Sequence, residues 1–584
     1  MRRFRVDILK PRFLFHACFS PRQDVYTARQ TVAYSTGETL QAGKISSDNQ
    51  DSEHTFYNYT SGRWLYNEPL RLSERRRHFD IHELCQAVAK SVGRSTDEIT
   101  TFAKIAEGGS YRIFEATFQG EASVIVRLPY PSTIPGEYGI ISEVATMKYL
   151  RLRGVPIPEV FDWSLSTDNP VQCEYIIMEK VQGKELEHTW YTMTAKERMA
   201  VVEKIVDIER MLFESPFPAS GSIYFKDSVG SCSNTIDLPL AVNCGKTDGF
   251  CIGPSSEFLW WYQRQNELAV NRGPWKTTKE LLEAVGHREL TWLQKFGKRR
   301  FPREPLYREF YGRQEVDPQV QVDSLMDYLK VAPHIIPDNL ELCQPTIRHP
   351  DLSPTNIFVS ESGDITGVID WQHSTILPMF LQAKIPKYFQ NYGDDESENF
   401  RRPKLRADFD SLEESEKASE LELYRRRQLH YFYLGFTSTN NKPHFHAMGK
   451  HDLIVRNRLY DTAGRPWEGD NTSLKAAIVQ TSTYWPDIAT SAMKEANFPV
   501  KYPDTDVANC LHIDAKQKIA DAQMQQLCDF IGVNIDGWVP PDSYEEAREK
   551  EQYIKQQMLE AAETEHERKE LDEHWPFQDH DELD

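Results

Sequence analysis

The chain has 584 residues, a formal net charge of −20 and an apolar content of 40%. The negative charge argues against nucleic acid as a broad electrostatic partner, and the apolar content is too high for a disordered chain. No apolar run reaches the ~18 residues of a membrane span. Nine scattered cysteines without a Cys-x-x-Cys pair indicate a reducing compartment rather than a disulfide framework.

Residues 1–37 differ from the rest because they carry seven Lys or Arg against two acids. Ser, Thr and aromatic residues separate these charges, a composition typical of a mitochondrial transit peptide. Pro11 and Pro21 limit any amphipathic helix to short pieces, so a disordered basic tail is the alternative. Residues 38–60 are polar and without a period, which predicts a linker.

Residues 61–180 are predicted to form a small lobe with an antiparallel sheet. Three alternating runs, over 99–106, 111–118 and 123–128, predict its first strands. Gly108, Gly109 and Ser110 join the first two. Two glycines let backbone N–H groups approach phosphate oxygens, but any hairpin also favours glycine, so both interpretations stay open here.

Arg127 closes the third apolar strand, and Glu143 lies on the inner side of a helix predicted over 138–153. A buried carboxylate without a cation is costly, so Arg127 is the predicted partner of Glu143. A pair of this kind positions the α- and β-phosphates in kinases. The alternative is a salt bridge at the edge of the core that binds no ligand.

The apolar run 174–179 predicts a further strand, which leads into a polar connector. The backbone near Met178 and Glu179 is expected to face the adenine of a nucleotide. A lobe boundary is predicted between Glu179 and Glu185. Helical patterns then dominate residues 181–540, apart from an irregular insert over 215–271.

Residues 348–372 hold the motif with the most specific spacing. Two apolar runs are predicted to pair across the turn at 361–364, which would bring Asn356 almost opposite Asp370. Their amide and carboxylate oxygens suit the Mg²⁺ that accompanies a nucleoside triphosphate. Asp351, upstream on an irregular loop, is free to reach an acceptor hydroxyl. This order of Asp, Asn and Asp is the kinase order. Turn and cap residues without a catalytic role are the alternative.

Residues 541–584 form a predicted acidic helical tail. From Glu545 onward it carries fifteen acids against five bases, with few apolar positions. Such a tail offers either a surface for a protein partner or a solvated face. His444, His446 and His451 lack the spacing of a closed metal site and are predicted to be solvated loop residues.

His349-x-Asp351 with Asn356, Ile369-Asp370-Trp371-Gln372 and the Glu107–Arg112 turn together resemble the aminoglycoside phosphotransferase (choline kinase-like) family. The basic leader and the residues 61–72 are similar to the fungal "altered inheritance of mitochondria protein 9" group of that family. The likeness covers about residues 61–540. It implies an α+β, two-lobed protein-kinase-like fold with a small antiparallel-sheet N-lobe and a large, mainly helical C-lobe.

The resemblance also implies a role for each motif residue. Asp351 would be the catalytic carboxylate, and Asn356 and Asp370 would hold Mg²⁺. Gly108, Gly109 and Ser110 would cover the phosphates of ATP, with Arg127 held by Glu143 beneath them. The family usually has lysine at the position of Arg127, and a forked guanidinium does not replace a compact ammonium without consequence.

The sequence is therefore compatible with two functions. The first is a mitochondrial ATP-dependent phosphotransferase, a kinase whose acceptor is the hydroxyl of a small molecule that the sequence does not identify. The second is a catalytically weak pseudokinase that serves as a binding or scaffold protein, as Arg127 and the acidic tail suggest.

Overall fold

The computed structural model describes residues 33–34, 39–41, 55–229, 234–238, 249–490, 493 and 496–580. Most of the predicted transit peptide, residues 1–32, lies outside the described residues.

The N-lobe is built on an antiparallel sheet. Its five main strands are β4 Ile99–Glu107, β5 Tyr111–Phe118, β6 Ser123–Pro129, β7 Val160–Ser164 and β8 Tyr175–Glu179. They lie side by side in the order β4-β5-β6-β8-β7. Two short strands, β1 Ala33–Tyr34 and β2 Thr39–Gln41, pair with β4. The strands predicted from alternation are present, with ends that differ by about one residue.

Helices cover both faces of this sheet. The N-lobe helices are α1 Glu68–Arg75, α2 Ile81–Ser91 and α3 Gly136–Leu152. The Asp80 carboxylate accepts a hydrogen bond from the Glu83 N–H at 2.9 Å, which caps α2. Apolar residues of α2 pack on the face where the rings of Phe102 and Phe114 stack. Helix α3 packs on the opposite face, in the core that the two lobes share.

The C-lobe is mainly helical. Its helices are α4 Leu186–Trp190, α5 Ala195–Phe213, α6 Thr278–Phe296, α7 Gln319–Val331, α8 Met379–Gln382, α9 Asp395–Glu398, α10 Glu414–Asn440, α11 Lys442–Met448, α12 His451–Ala463, α13 Thr472–Thr483, α14 Trp485–Ile488, α15 Asp504–Ile531, α16 Tyr544–Ala561 and α17 Glu565–Glu573. A small sheet of β10 Ser222–Phe225, β11 Ile236–Asp237 and β12 Phe250–Gly253 lies in the insert predicted to be irregular. The α+β, two-lobed architecture predicted from the sequence is confirmed.

The predicted catalytic hairpin lies where the two lobes meet. The remaining strands of the C-lobe are β9 Lys184–Glu185, β13 Pro345–Ile347, β14 Ile357–Val359, β15 Ile365–Val368 and β16 Ile376–Pro378. Strand β14 pairs with β15 on one side and with β9 on the other. Because β9 follows β8 after a short connector, the hairpin lies beside the link between the lobes.

Buried polar contacts fix the start of the hairpin to the helical core. Arg348 donates to one carboxylate oxygen of Glu209 at 2.8 and 2.9 Å, and the Tyr433 hydroxyl donates to the other at 2.5 Å. All three side chains are buried. These contacts join α5 and α10 to the residue that directly precedes His349.

The segment predicted to be a linker is partly built into the N-lobe. Phe56, Tyr57 and Tyr59 are buried, and Phe56 packs edge-on against Phe114 of the sheet. Thr39–Gln41 pairs with β4. The prediction of a linker over 38–60 is wrong for these residues, because isolated aromatic residues between polar ones leave no period to detect.

The acidic tail is a docked element of the C-lobe. Tyr544, Ala547, Trp575 and Phe577 are buried in one cluster with residues of α15. At the end of the tail, Asp579 accepts a hydrogen bond from the N–H of a residue in the N-lobe, Asn67, at 2.5 Å. Most of the tail's charges face solvent, while Ile554 and Leu571 also pack against the cluster. The tail is therefore packed on the folded protein and is not a purely solvated face.

This docking predicts that Trp575→Ala will lower the free energy of unfolding by about 3–5 kcal/mol, as is usual for the truncation of a buried aromatic residue. The matched control is Tyr553→Ala, because Tyr553 lies on the same tail with 60% of its surface exposed. Urea unfolding would give both values. Equal, small losses in the two variants would contradict a docked tail.

Among the residues that the structure describes, no helix is both long and apolar enough to cross a lipid bilayer. His444, predicted to be solvated, is fully buried and stacks on Phe213 with ring centroids 4.5 Å apart.

Candidate active site

The β14–β15 hairpin brings the predicted metal ligands to one place. The Ile369 N–H donates to the Asn356 carbonyl at 3.0 Å, so Asp370 directly follows the residue opposite Asn356. Asp370 has a φ of +65°, a left-handed conformation that non-glycine residues seldom adopt. Strain of this kind persists only where surrounding contacts impose it, and it is common at functional sites.

Asp351 lies within hydrogen-bonding distance of Asn356. The Asn356 Nδ2 donates to the Asp351 carbonyl at 2.9 Å and approaches its carboxylate Oδ2 at 3.4 Å. Asp351 and Asp370 are also close enough for each charge to act on the other. Asn356 therefore lies beside both Asp351 and the strand end that carries Asp370.

His349 holds this loop in place through both ring nitrogens. The Asp351 N–H donates to Nδ1 at 3.1 Å, and Nε2 lies 2.8 Å from the Ile369 carbonyl. Nδ1 must therefore be the acceptor and Nε2 the donor, which is the neutral tautomer. Burial lowers the pKa of His349 to about 4, so the ring stays neutral near pH 7. The histidine thus ties the backbone of Asp351 to the strand end that precedes Asp370.

The environment of Asp351 suits a proton acceptor. The side chain is exposed, but protein atoms around it displace part of its hydration and raise its pKa. The negative charge of Asp370 raises the pKa further, whereas Lys387 opposes the increase. A carboxylate with a raised pKa accepts a proton from a hydroxyl more readily than an unperturbed one.

Arg127 is the cation that connects the two lobes at this site. It forms an ion pair with Glu143, as predicted, and it also donates to Asp370 Oδ1 at 3.0 Å. The Tyr111 hydroxyl donates to the second oxygen of Glu143 at 2.9 Å, and the Tyr111 ring lies 4.1 Å from the guanidinium carbon. Burial opposes the charge of Arg127, but Glu143 and Asp370 outweigh this effect and raise its pKa.

Gly108, Gly109 and Ser110 form the glycine turn. It lies directly before β5, the strand that begins at Tyr111. The Gly108 N–H donates to the Tyr111 carbonyl at 2.8 Å, and the Ser110 carbonyl accepts from the Tyr130 N–H at 3.0 Å. Gly108 has no left-handed φ, and a Cβ placed on it would come no closer than 3.8 Å to any neighbouring atom. Neither backbone conformation nor packing requires glycine at this position. The sequence left two interpretations of this glycine open, a hairpin turn and the close approach of a ligand. The second is compatible with the structure.

Met178 and Glu179 lie at the end of β8, where the chain leaves the N-lobe. Met178 is buried in the sheet, opposite Ile125 and Val160. The Glu179 N–H donates to the Glu159 carbonyl at 2.8 Å and is therefore already used. The backbone donor of Glu179 does not serve an adenine in this arrangement. The sequence could not reveal this, because Glu159 lies 20 positions away, directly before the neighbouring strand β7.

The donor atoms fit a hard cation such as Mg²⁺. The Asn356 amide nitrogen is committed to Asp351, so Oδ1 is its remaining ligand atom. Asp370 uses Oδ1 for Arg127, and among the described residues no group donates to its Oδ2. One amide and one carboxylate oxygen, completed by phosphate and water, make a usual Mg²⁺ site.

Two contacts of this site were missed by reasoning from the sequence. The ion pair of Arg127 with Asp370 joins residues 243 positions apart, and no local pattern reports such a contact. The second is the hydrogen bond of Tyr111 to Glu143. The position of Tyr111 at the start of an alternating strand, directly after the glycine turn, was the signal that could have placed it near this site.

Comparison with known proteins agrees with this geometry. The family model described as "Phosphotransferase enzyme family" matches residues 101–409. A subtelomeric hrmA-associated cluster protein of Aspergillus fumigatus is 29% identical over 516 residues, which cover 83% of this chain and 97% of that protein.

The altered inheritance of mitochondria protein 9, mitochondrial, of Saccharomyces cerevisiae is 23% identical over 587 residues, covering 88% of this chain and 91% of that protein. Among solved structures, a thermostable mutant of aminoglycoside phosphotransferase APH(4)-Ia in its apo form is 13% identical with a TM-score of 0.30, covering 75% of this chain and 99% of that one. Since the family model spans more than half of the sequence, the chain belongs to the phosphotransferase enzyme family.

Proposed function

We propose that this protein transfers the γ-phosphoryl group of ATP to a hydroxyl of a small molecule, with Mg²⁺ as cofactor. The observation that carries the proposal is the grouping of Asp351, Asn356 and Asp370: Asn356 contacts Asp351, and its carbonyl accepts from the residue directly before Asp370. Membership of the phosphotransferase family supports it.

Each residue has a part in this reaction. Asp351 accepts the proton of the acceptor hydroxyl as the new oxygen–phosphorus bond forms and the bond to the ADP oxygen breaks. Asn356 and Asp370 would hold the Mg²⁺, which neutralises charge on the phosphates. Arg127, fixed by Glu143, holds Asp370 in position and presents a positive charge beneath the glycine turn. Positioning and electrostatics supply most of the catalysis in this chemistry.

We place this activity in mitochondria. The basic, acid-poor composition of residues 1–37 supports this location. The names of the similar yeast proteins, which describe them as mitochondrial, support it as well.

One observation favours the second candidate, a pseudokinase that binds partners without rapid turnover. The guanidinium of Arg127 occupies one of the two carboxylate oxygens of Asp370, which leaves only the other oxygen for a metal. The acidic tail gives this candidate less support than the sequence suggested, because its apolar residues are already docked on the C-lobe.

Thermal unfolding with and without millimolar Mg-ATP tests the proposal. A ligand that binds the folded state at 100 times its Kd stabilises it by about 2.7 kcal/mol, so the unfolding temperature should rise. Asp370→Ala should abolish this rise because it removes the carboxylate ligand. Asp364→Ala, in the exposed turn of the same hairpin, is the control and should keep it. A wild-type protein that shows no rise would refute the proposal.

A further inference from the structure

The N-lobe and the C-terminal part of the chain share a small sheet. Arg63–Trp64, which form β3, pair antiparallel with Trp538–Val539, which form β17. The Leu65 N–H donates to the Gly537 carbonyl at 3.0 Å, and the Trp538 Nε1 donates to the Tyr59 hydroxyl at 3.0 Å. We name residues 534–539 the brace. Both the brace and its partner strand lie outside residues 101–409, the part that the family model matches.

The contact at the centre of this sheet depends on a glycine. Gly62 lies directly against the indole ring of Trp538, and a Cβ on Gly62 would overlap that ring. Gly62 does not have a left-handed φ, so its lack of a side chain serves packing rather than backbone conformation. An alanine here would force the indole away.

The residues that precede Gly62 hold the glycine turn. Glu107, the last residue before Gly108, is fully buried and accepts hydrogen bonds from the Thr60 N–H at 2.7 Å and the Ser61 hydroxyl at 3.0 Å. On the other side of the turn, Arg112 donates to Glu107 at 2.9 Å and to the Phe56 carbonyl at 2.7 Å. Both ends of the turn are therefore fixed to one short segment, residues 56–61.

The brace itself is fixed to the C-lobe. It follows α15, whose Cys528 and Ile531 are buried with Val539 of β17 and with residues of the tail. Farther along α15, the carboxylate of Asp521 accepts a hydrogen bond from the Tyr307 hydroxyl at 2.6 Å. A continuous set of contacts thus runs from the helical core through Trp538 to the two flanks of the glycine turn.

We propose that Trp538 is a positioning residue for the nucleotide: the brace holds residues 59–62 in place, and these residues hold the glycine turn over the phosphates. The expected effect on nucleotide binding rests on the proposed function. The expected effect on the order of the glycine turn does not, because it depends only on contacts within the protein.

The test compares Gly62→Ala, Trp538→Ala, the double variant and a control in the full-length protein. Gly435→Ala is the matched control, because a Cβ at Gly435 would meet only the tip of Phe400, at 4.0 Å. Hydrogen exchange over residues 107–112 measures the order of the turn, and calorimetry with Mg-ATP measures affinity. We expect faster exchange at the turn and roughly ten- to a hundredfold weaker Mg-ATP binding in both single variants, with no change in the control.

The double variant should be no worse than either single variant, because both changes remove the same contact. Tyr59→Phe removes only the hydroxyl that accepts the hydrogen bond from Trp538. It should speed exchange over 107–112 and weaken Mg-ATP binding by less than the larger changes do. This variant therefore tests the inference even if the larger changes impair folding. Folded variants with wild-type exchange over 107–112, or with faster exchange and unchanged affinity, would overturn the inference. If the wild-type protein fails to bind Mg-ATP, the proposed function is wrong. Hydrogen exchange over residues 107–112 still decides in that case whether the brace orders the turn.

Discussion

Asp351→Asn is expected to reduce phosphoryl transfer by about 10²–10⁴-fold while leaving Mg-ATP binding almost unchanged. The amide cannot accept a proton from the attacking hydroxyl, so the transition state loses its base. It preserves the shape of the carboxylate, and the main-chain contacts of Asp351 with His349 and Asn356 do not use the altered group. The protein should therefore fold and bind nucleotide normally.

ADP release in the presence of Mg-ATP measures this effect without knowledge of the acceptor, because water can take the acceptor's place. Asp364→Asn serves as the control, since Asp364 pairs with Lys204 on the exposed side of the same hairpin and should not affect turnover. A folded Asp351→Asn protein with the wild-type rate of ADP release would show that Asp351 is not the base. That result would favour the pseudokinase.

The local part of the site was predictable from the sequence. Asp351, Asn356 and Asp370 lie within 20 positions, and the alternation of two apolar runs fixes how their strands pair. The partnership of Arg127 with Glu143 was also predictable, because a buried carboxylate on an apolar helix face needs a cation.

The long-range part was not predictable. Trp64 and Trp538 meet in two-residue strands that are too short to show a period, and 474 positions separate them. The docking of the tail depends on a few aromatic residues among many charges, so composition alone indicates solvent exposure where the structure shows a packed cluster. The left-handed conformation of Asp370 was not predictable either: aspartate adopts it more often than most residues, but residue type does not show which aspartate will do so.

Replacement of Arg127 is expected to lower the stability of the N-lobe strongly. The Glu143 side chain is fully buried, and Arg127 is its cation. Arg127→Met would leave that carboxylate unpaired in the core, and the loss of one partner of a buried ion pair costs about 3–5 kcal/mol. The double variant Arg127→Met/Glu143→Met should be more stable than the single variant, because it removes the unpaired charge as well.

Urea unfolding of the two variants measures this difference directly. Arg151→Met is the matched control, because Arg151 pairs with Glu179 on the same lobe but is 43% exposed, and exposed pairs contribute only ~0–1 kcal/mol. If Arg127→Met costs no more than Arg151→Met, the buried pair does not stabilise the N-lobe. A double variant as unstable as the single one would mean that the loss arises from the contacts of Arg127 with Tyr111 and Asp370 rather than from an unpaired Glu143.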